Sequence, residues 1–247
     1  MAQTLTQFGP VVNDATGMGQ THELLGGLGS CRWKQLINGM HLNGPWNCVE
    51  YVVIEPESSC GTHTHLRTEE IYYILDGSAE MEVNGEPIML YAGDLVTAPI
   101  GTSHGTVNHS RGDMEFLVVE VFPGSGVDPK PVSVAINNPG YAHPVTVQVD
   151  AGATIRELAL QDLFTGPWRT FTRIELRPGA SYEREPVADA DEVLFVATGA
   201  AGIEFNGAMV EGGRGLCVGV PPAATRAIVN RSTTESLTVL STIVGLE

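Results

Sequence analysis

The chain repeats itself. Adding 122 to the residue numbers of the first half lays it on the second half without a gap. Gly44-Pro45-Trp46 falls on Gly166-Pro167-Trp168, and Pro56 falls on Pro178. Glu70, Gly77 and Asn84-Gly85 meet Glu192, Gly199 and Asn206-Gly207; Gly93, Pro99 and Asn108 meet Gly215, Pro221 and Asn230. A period this long marks a duplicated domain, because solenoid units are far shorter. Within each copy, short β-patterned segments are broken by Gly, Pro and Asn-Gly turns, the punctuation of an all-β barrel. The expected fold class is therefore all-β, with two domains sharing 247 residues.

The first copy concentrates metal-binding side-chain types. His63 and His65 are one residue apart, Glu70 follows five residues later, and His104 stands in a Gly- and Pro-punctuated stretch from Gly93 to Asn108. Successive side chains on a strand alternate faces, so His63 and His65 point the same way and can grip one ion. Glu70-Ile71-Tyr72-Tyr73-Ile74-Leu75 reads as a strand with Glu70 and Tyr72 on one face, closed by an Asp76-Gly77 turn.

These residues resemble the two motifs of the cupin superfamily. The first, G-x5-H-x-H-x3-4-E-x6-G, is met by His63, His65, Glu70 and Gly77, with Glu57 where the opening glycine usually stands. The second, G-x5-P-x-G-x2-H-x3-N, is met by Gly93, Pro99, Gly101, His104 and Asn108. The resemblance implies two tandem cupin barrels of the double-stranded β-helix or jelly-roll type, a bicupin. It also implies that His63, His65, Glu70 and His104 hold a metal. In the second copy the ligand positions become Glu185, Val187 and Arg226, with Glu192 alone retained. Valine cannot coordinate and a guanidinium repels a cation, so one divalent metal per chain is expected, in the N-terminal barrel. Arg226 is expected to pair internally with Glu185 or Glu192; the competing reading is an anion site built from that trio.

Proline and glycine between Phe122 and Pro131, and again at Asn137–Pro144, set the domain boundaries. Residues 1–123 are read as the N-terminal metal-binding domain with its extension, 124–145 as a crossover, and 146–247 as the degenerate C-terminal domain. With 13 Lys and Arg against 29 Asp and Glu, the net charge of −16 argues against nucleic acid as a partner. No apolar run approaches the roughly 20 residues that span a bilayer, and Met1–Phe8 lacks the basic start and apolar core of a signal peptide. Cys31, Cys48, Cys60 and Cys217 form no Cys-x-x-Cys pair and are read as reduced, packed thiols of a cytoplasmic protein. Monomer and homodimer are both compatible with two barrels in one chain.

Three imidazoles and one carboxylate suit Fe(II), Mn(II), Ni(II) and Zn(II) alike. Around a divalent ion they leave a formal charge of about +1 and open positions, which favour a small anionic metabolite carrying oxygen donors. Tyr72 is the candidate acid or substrate anchor, and Arg67, between the ligands, the candidate partner of a substrate carboxylate. Trp46 recurs as Trp168 where the ligands are lost, so it is read as structural; His22, His41, His109 and His143 have no partner at ligand spacing. The resemblance points first to an Fe(II) oxygenase or dioxygenase. A redox-neutral isomerase, cyclase, lyase or decarboxylase of specialised metabolism, and a non-catalytic small-molecule-binding cupin, are the alternatives that the same ligands admit.

Overall fold

The computed structural model describes residues 11–124, 130–135 and 145–247. Met1–Phe8, His143 and most of the 124–145 crossover lie outside them. Nearly everything described is β-strand, joined antiparallel in two pairs of sheets. In the first half a seven-stranded sheet runs, in hydrogen-bonded order, Ser133–Ala135, Leu95–Ala98, Glu69–Asp76, Met114–Val121, Trp46–Ile54, Ser30–Asn38 and Gly19–His22. It faces a four-stranded sheet of Ser58–Thr64, Ser103–Asn108, Ser78–Val83 and Glu86–Tyr91. The second half matches it. Its larger sheet runs Val11–Asn13, Cys217–Val220, Ala190–Thr198, Leu237–Gly245, Trp168–Leu176, Ala153–Ala159 and Val145–Asp150; its smaller one runs Ser181–Arg184, Arg226–Asn230, Ala201–Phe205 and Ala208–Gly212. The fold is the expected pair of cupin jelly-roll barrels. One short strand crosses over in each direction: Val11–Asn13 pairs with Cys217–Gly219, and Ser133–Ala135 pairs with Leu95–Thr97.

Strand parity sorts the apolar residues into three cores. The central strands are buried on both faces, so they read as continuous hydrophobic runs. Val49, Tyr51, Val53, Ile71, Tyr73, Leu117 and Val119 face outward from the first barrel, into one core shared with Phe171, Val193, Phe195 and Leu240 of the second. Their neighbours Val52, Ile54, Tyr72, Ile74, Phe116 and Val118 line the inside of the first barrel. The second barrel's interior is filled by Ile174, Leu194, Val196, Ile203, Phe205 and Ile228 among others. The barrels thus pack sheet against sheet, and a one-residue slip in any central strand would exchange two cores.

Two buried carboxylates fasten that packing. Glu69, fully buried, accepts hydrogen bonds from Thr165 N at 2.9 Å, Gly166 N at 2.8 Å and the Trp168 indole at 3.1 Å. The repeat-related Asp191, also fully buried, accepts from Asn43 N at 2.7 Å, Asn43 Nδ2 at 2.8 Å and Gly44 N at 2.6 Å. Each barrel inserts an acid into the Gly-Pro-Trp turn of the other. Glycine is required at the receiving turn, since a Cβ on Gly166 would meet Glu69 Oε2 at 2.9 Å and Pro123 Cα at 3.1 Å. The aspartate is one methylene shorter, and the Trp46 indole N–H finds no acceptor.

The departure at Glu57 has a visible backbone cost. Glu57 has φ +54°, while its counterpart Gly179 has φ +70°, a left-handed conformation that glycine adopts without penalty. The reverse exchange occurs at Gly101, φ +84°, and Ala223, φ +60°.

Removing the Glu69 carboxylate strands two buried backbone N–H groups and an indole N–H. Glu69→Ala is expected to lower unfolding stability by about 3–5 kcal/mol, from ~1–3 per stranded group with partial relaxation. Glu69→Gln, which keeps an acceptor oxygen, should cost clearly less. Urea denaturation of the three proteins checks the order.

Candidate metal centre

Three strands and one loop deliver the candidate ligands. His63 lies on Ser58–Thr64 and sits directly across from His104 on Ser103–Asn108. A register shift between His104 and Thr106 bends that pair. His65 follows the first strand, and Glu70 and Tyr72 share the inward face of Glu69–Asp76. The rings of His63, His65 and His104 stand 4.5 to 5.3 Å apart between centroids. One ring nitrogen from each lies within 4.8 Å of the others. Glu70 joins them: Oε1 is 2.6 Å from His65 Nδ1, and Oε2 is 3.3 Å from His104 Nε2.

Local hydrogen bonds orient the set. His63 Nδ1 lies 2.9 Å from Gly61 O, which fixes the proton on Nδ1 and leaves Nε2 as a lone-pair donor. His65 Nδ1 is also 2.9 Å from Thr68 Oγ1. The Tyr72 hydroxyl donates to Glu70 Oε2 at 2.6 Å and lies 2.7 Å from His104 Nε2. The buried His104 Nδ1 has no hydrogen-bond partner.

The electrostatics favour neutral imidazoles. Burial, then the neighbouring His63 and His65, push His104 down to about 3. Burial lowers His63 as well. Burial also disfavours charging His65, but the hydrogen bond and charge of Glu70 outweigh it and raise that group. Burial lifts Glu70 to about 7, with His65 opposing. A bound cation would reverse the shift of the carboxylate. Three converging imidazoles, one with an unpartnered ring nitrogen, and a buried carboxylate are a donor set that fits a divalent ion of the imidazole-preferring kind.

The cluster opens on a cavity of about 300 Å³, walled by Leu24, Val52, Phe116 and Val118. Tyr72 lines it, buried, with its hydroxyl raised well above the usual range by burial and then by Glu70. Arg67 is exposed on the loop after His65 and is not among the lining residues. Cys60 lines the cavity, but burial pushes its thiol up to about 12, consistent with packing. His22, His41 and His109 stay outside the cluster. Two lining residues were not anticipated from sequence, Glu50 and Glu120. Their one sequence signal is an acid at an inward-facing position of an otherwise apolar strand, where the second copy has Thr172 and Thr242.

At the positions that match the metal ligands, the second barrel offers no comparable space. Arg226 forms an ion pair with Glu192, and its guanidinium donates to the carbonyls of Arg184 and Glu185 at 3.2 and 3.4 Å. The Glu185 side chain is exposed, so the trio reduces to one buried pair. The void beside Val187, Glu192 and Arg226 is only about 10 Å³.

Residues 50–120 match the Cupin domain family. The oxalate-binding protein of Thermotoga maritima is 33% identical over 94 residues, which span 38% of this chain and 78% of that protein. Among solved structures, oxalate decarboxylase from Bacillus subtilis, studied for its Mn(II) centres, superposes with a TM-score of 0.69. It is 16% identical, and the match covers 96% of this chain and 78% of that one. Salicylate 1,2-dioxygenase from Pseudoaminobacter salicylatoxidans, in its adduct with gentisate, gives a TM-score of 0.61 at 16% identity, covering 84% and 70% of the two chains. No helix among the described residues is long and apolar enough to cross a membrane.

Two outcomes follow from these charges. At pH 6 the raised Glu70 and His65 hold protons that a cation must displace, whereas His104, lowered to about 3, holds none and the lowered His63 adds less than a free imidazole would. Metal binding is expected to release at least about one proton per ion at pH 6, falling toward zero at pH 8.5, as calorimetry in buffers of different ionisation enthalpy reads. In the second barrel, Arg226→Met leaves Glu192 buried without its cation and should cost about 3–5 kcal/mol in urea denaturation. Metal content and ligand affinity of the first barrel should not change.

Proposed function

The chain belongs to the cupin superfamily, and we propose that its first barrel is the working half of a mononuclear, non-haem metal enzyme acting on a small metabolite, with iron(II) as the metal and dioxygen as co-substrate. One observation carries this reading: three imidazoles and the Glu70 carboxylate converge on the wall of an apolar cavity. His63, His65, Glu70 and His104 are the proposed ligands. Iron(II) held there supplies a Lewis-acidic, redox-active centre with positions left for substrate and dioxygen.

The protein's own groups do the rest. Gly61 O fixes the tautomer and orientation of the His63 ring, and Thr68 Oγ1 helps to orient that of His65. Val52, Phe116 and Val118 keep bulk water from the reacting atoms, which strengthens every charge interaction inside. Tyr72 keeps a proton on its hydroxyl, between Glu70 and His104, where it can anchor or protonate a substrate oxygen. The four free cysteines suit a reducing, cytoplasmic setting.

A redox-neutral reading with Mn, Ni or Zn is favoured by a different observation. The Tyr72 hydroxyl and the Glu120 carboxylate line the same cavity, a proton donor and a proton acceptor of the kind that isomerisation, cyclisation, lyase or decarboxylation chemistry uses.

Element-resolved metal analysis of the protein and of His104→Ala, followed by oxygen uptake against a panel of small carboxylic acids, separates these. We expect about one iron per chain, lost in the variant, together with substrate-dependent oxygen consumption. Stoichiometric Mn, Ni or Zn with turnover under nitrogen would establish the second reading. Metal content unaffected by His104→Ala would overturn both.

A further inference from the structure

Beyond the histidines, the cavity wall carries two more carboxylates. Glu120 lies directly across the sheet from Glu70, and one of its oxygens comes within 4.8 Å of ligand atoms of both His65 and Glu70. A Glu50 oxygen lies within the same distance of Glu120. Each acid is steered by a protein donor. Asn47 Nδ2 donates to Glu120 Oε2 at 2.6 Å, and the Trp33 indole donates to Glu50 Oε2 at 2.9 Å, with Cys48 Sγ 3.5 Å from Glu50 Oε1. Among the described residues no donor is recorded for Glu120 Oε1, and no lysine or arginine lines the cavity. Glu70, in a fully buried side chain, faces the same space, with Oε1 held by His65 Nδ1 at 2.6 Å.

The Glu120 oxygen that has no protein donor is free to accept a hydrogen from an occupant of this apolar-walled cavity. The proposed metal accounts for the Glu70 oxygen; it does not account for Glu120. A ligand presenting a second carboxylate here would meet like charge at short range. The second barrel, with no histidines, carries Thr172 and Thr242 at the two positions. The acids accompany the ligand set.

We propose that Glu120, backed by Glu50, determines specificity by accepting a hydrogen from the hydroxyl or ammonium group on the carbon next to the metal-binding carboxylate of the substrate. The substrate class is then 2-hydroxy or 2-amino acids, not a bare dicarboxylate such as oxalate. This rests on the metal-centre reading above. Glu120 acts on the substrate's donor, not on the metal.

The test uses full-length protein loaded with redox-inert Zn(II), titrated calorimetrically with glycolate, glycine and oxalate, with zinc content measured before and after. Glu120→Gln keeps the shape and removes the charge. It should shift the affinity ratio toward oxalate, relative to glycolate or glycine, by at least about tenfold, with zinc content unchanged. The glycolate and glycine arms tell a hydroxyl from an ammonium donor. Glu50→Gln should shift the same ratio by about threefold, and decides the matter if Glu120→Gln does not fold. A ratio unchanged within about twofold in zinc-loaded variants overturns the proposal alone. Zinc lost in Glu120→Gln also overturns it, by making Glu120 a ligand. Wild-type protein that takes up no zinc overturns the metal reading, and this inference with it.

Discussion

Glu69 and Glu70 are adjacent on one strand and point in opposite directions. Glu69 reaches out of the first barrel into the Gly166-Pro167-Trp168 turn, and Glu70 reaches in toward three histidines. Strand geometry permits nothing else, since neighbouring side chains must occupy opposite faces. The register that fastens the two barrels is therefore the register that aims the inward carboxylate. A slip of one residue would bury Glu70 among Ile71's former neighbours and pull Glu69 into the cavity.

The two halves show how one scaffold reaches opposite electrostatic solutions. In the first, burial disfavours charge on His63 and His104 and lifts Glu70, leaving a cluster short of positive charge. In the second, Arg226 supplies that charge permanently beside Glu192, and apolar side chains fill the barrel interior. A guanidinium is part of the chain, so the charge balance of the second barrel is fixed by its sequence. What the second half contributes is the large shared core against which Val49, Tyr51 and Ile71 pack.

Much of this was legible in the sequence, for identifiable reasons. The turn residues could be read because positive φ at Gly77, Gly85 and Gly93, and again at Gly199, Gly207 and Gly215, demands glycine whatever the packing. The histidines could be read because two-residue spacing on a strand has one geometric meaning. Glu69 and Asp191 were not singled out, although they occupy matching positions, because their partners lie 96 to 148 residues away and nothing local announces a latch. Glu50 precedes the first recognisable motif and Glu120 follows the second, and an isolated acid in a β-run looks like a surface residue until both faces of the strand are known to be covered. Arg67 shows the converse. It lies between the inward-facing His65 and Glu70, yet the loop carries it, with Leu66, into solvent.

The reciprocal exchange of Val11–Asn13 and Ser133–Ala135 bears on how such a chain matures on the ribosome. The early strand must wait for Cys217–Gly219, more than 200 residues later in synthesis, before it can be capped by its neighbour. The first barrel, by contrast, can complete its sheet as soon as Ser133–Ala135 emerges. Translation thus presents a finished N-terminal barrel whose outward face, meant for Phe171 and Phe195, is still bare. That face is a template on which the nascent second barrel can condense, and a hazard if a neighbouring nascent chain arrives first.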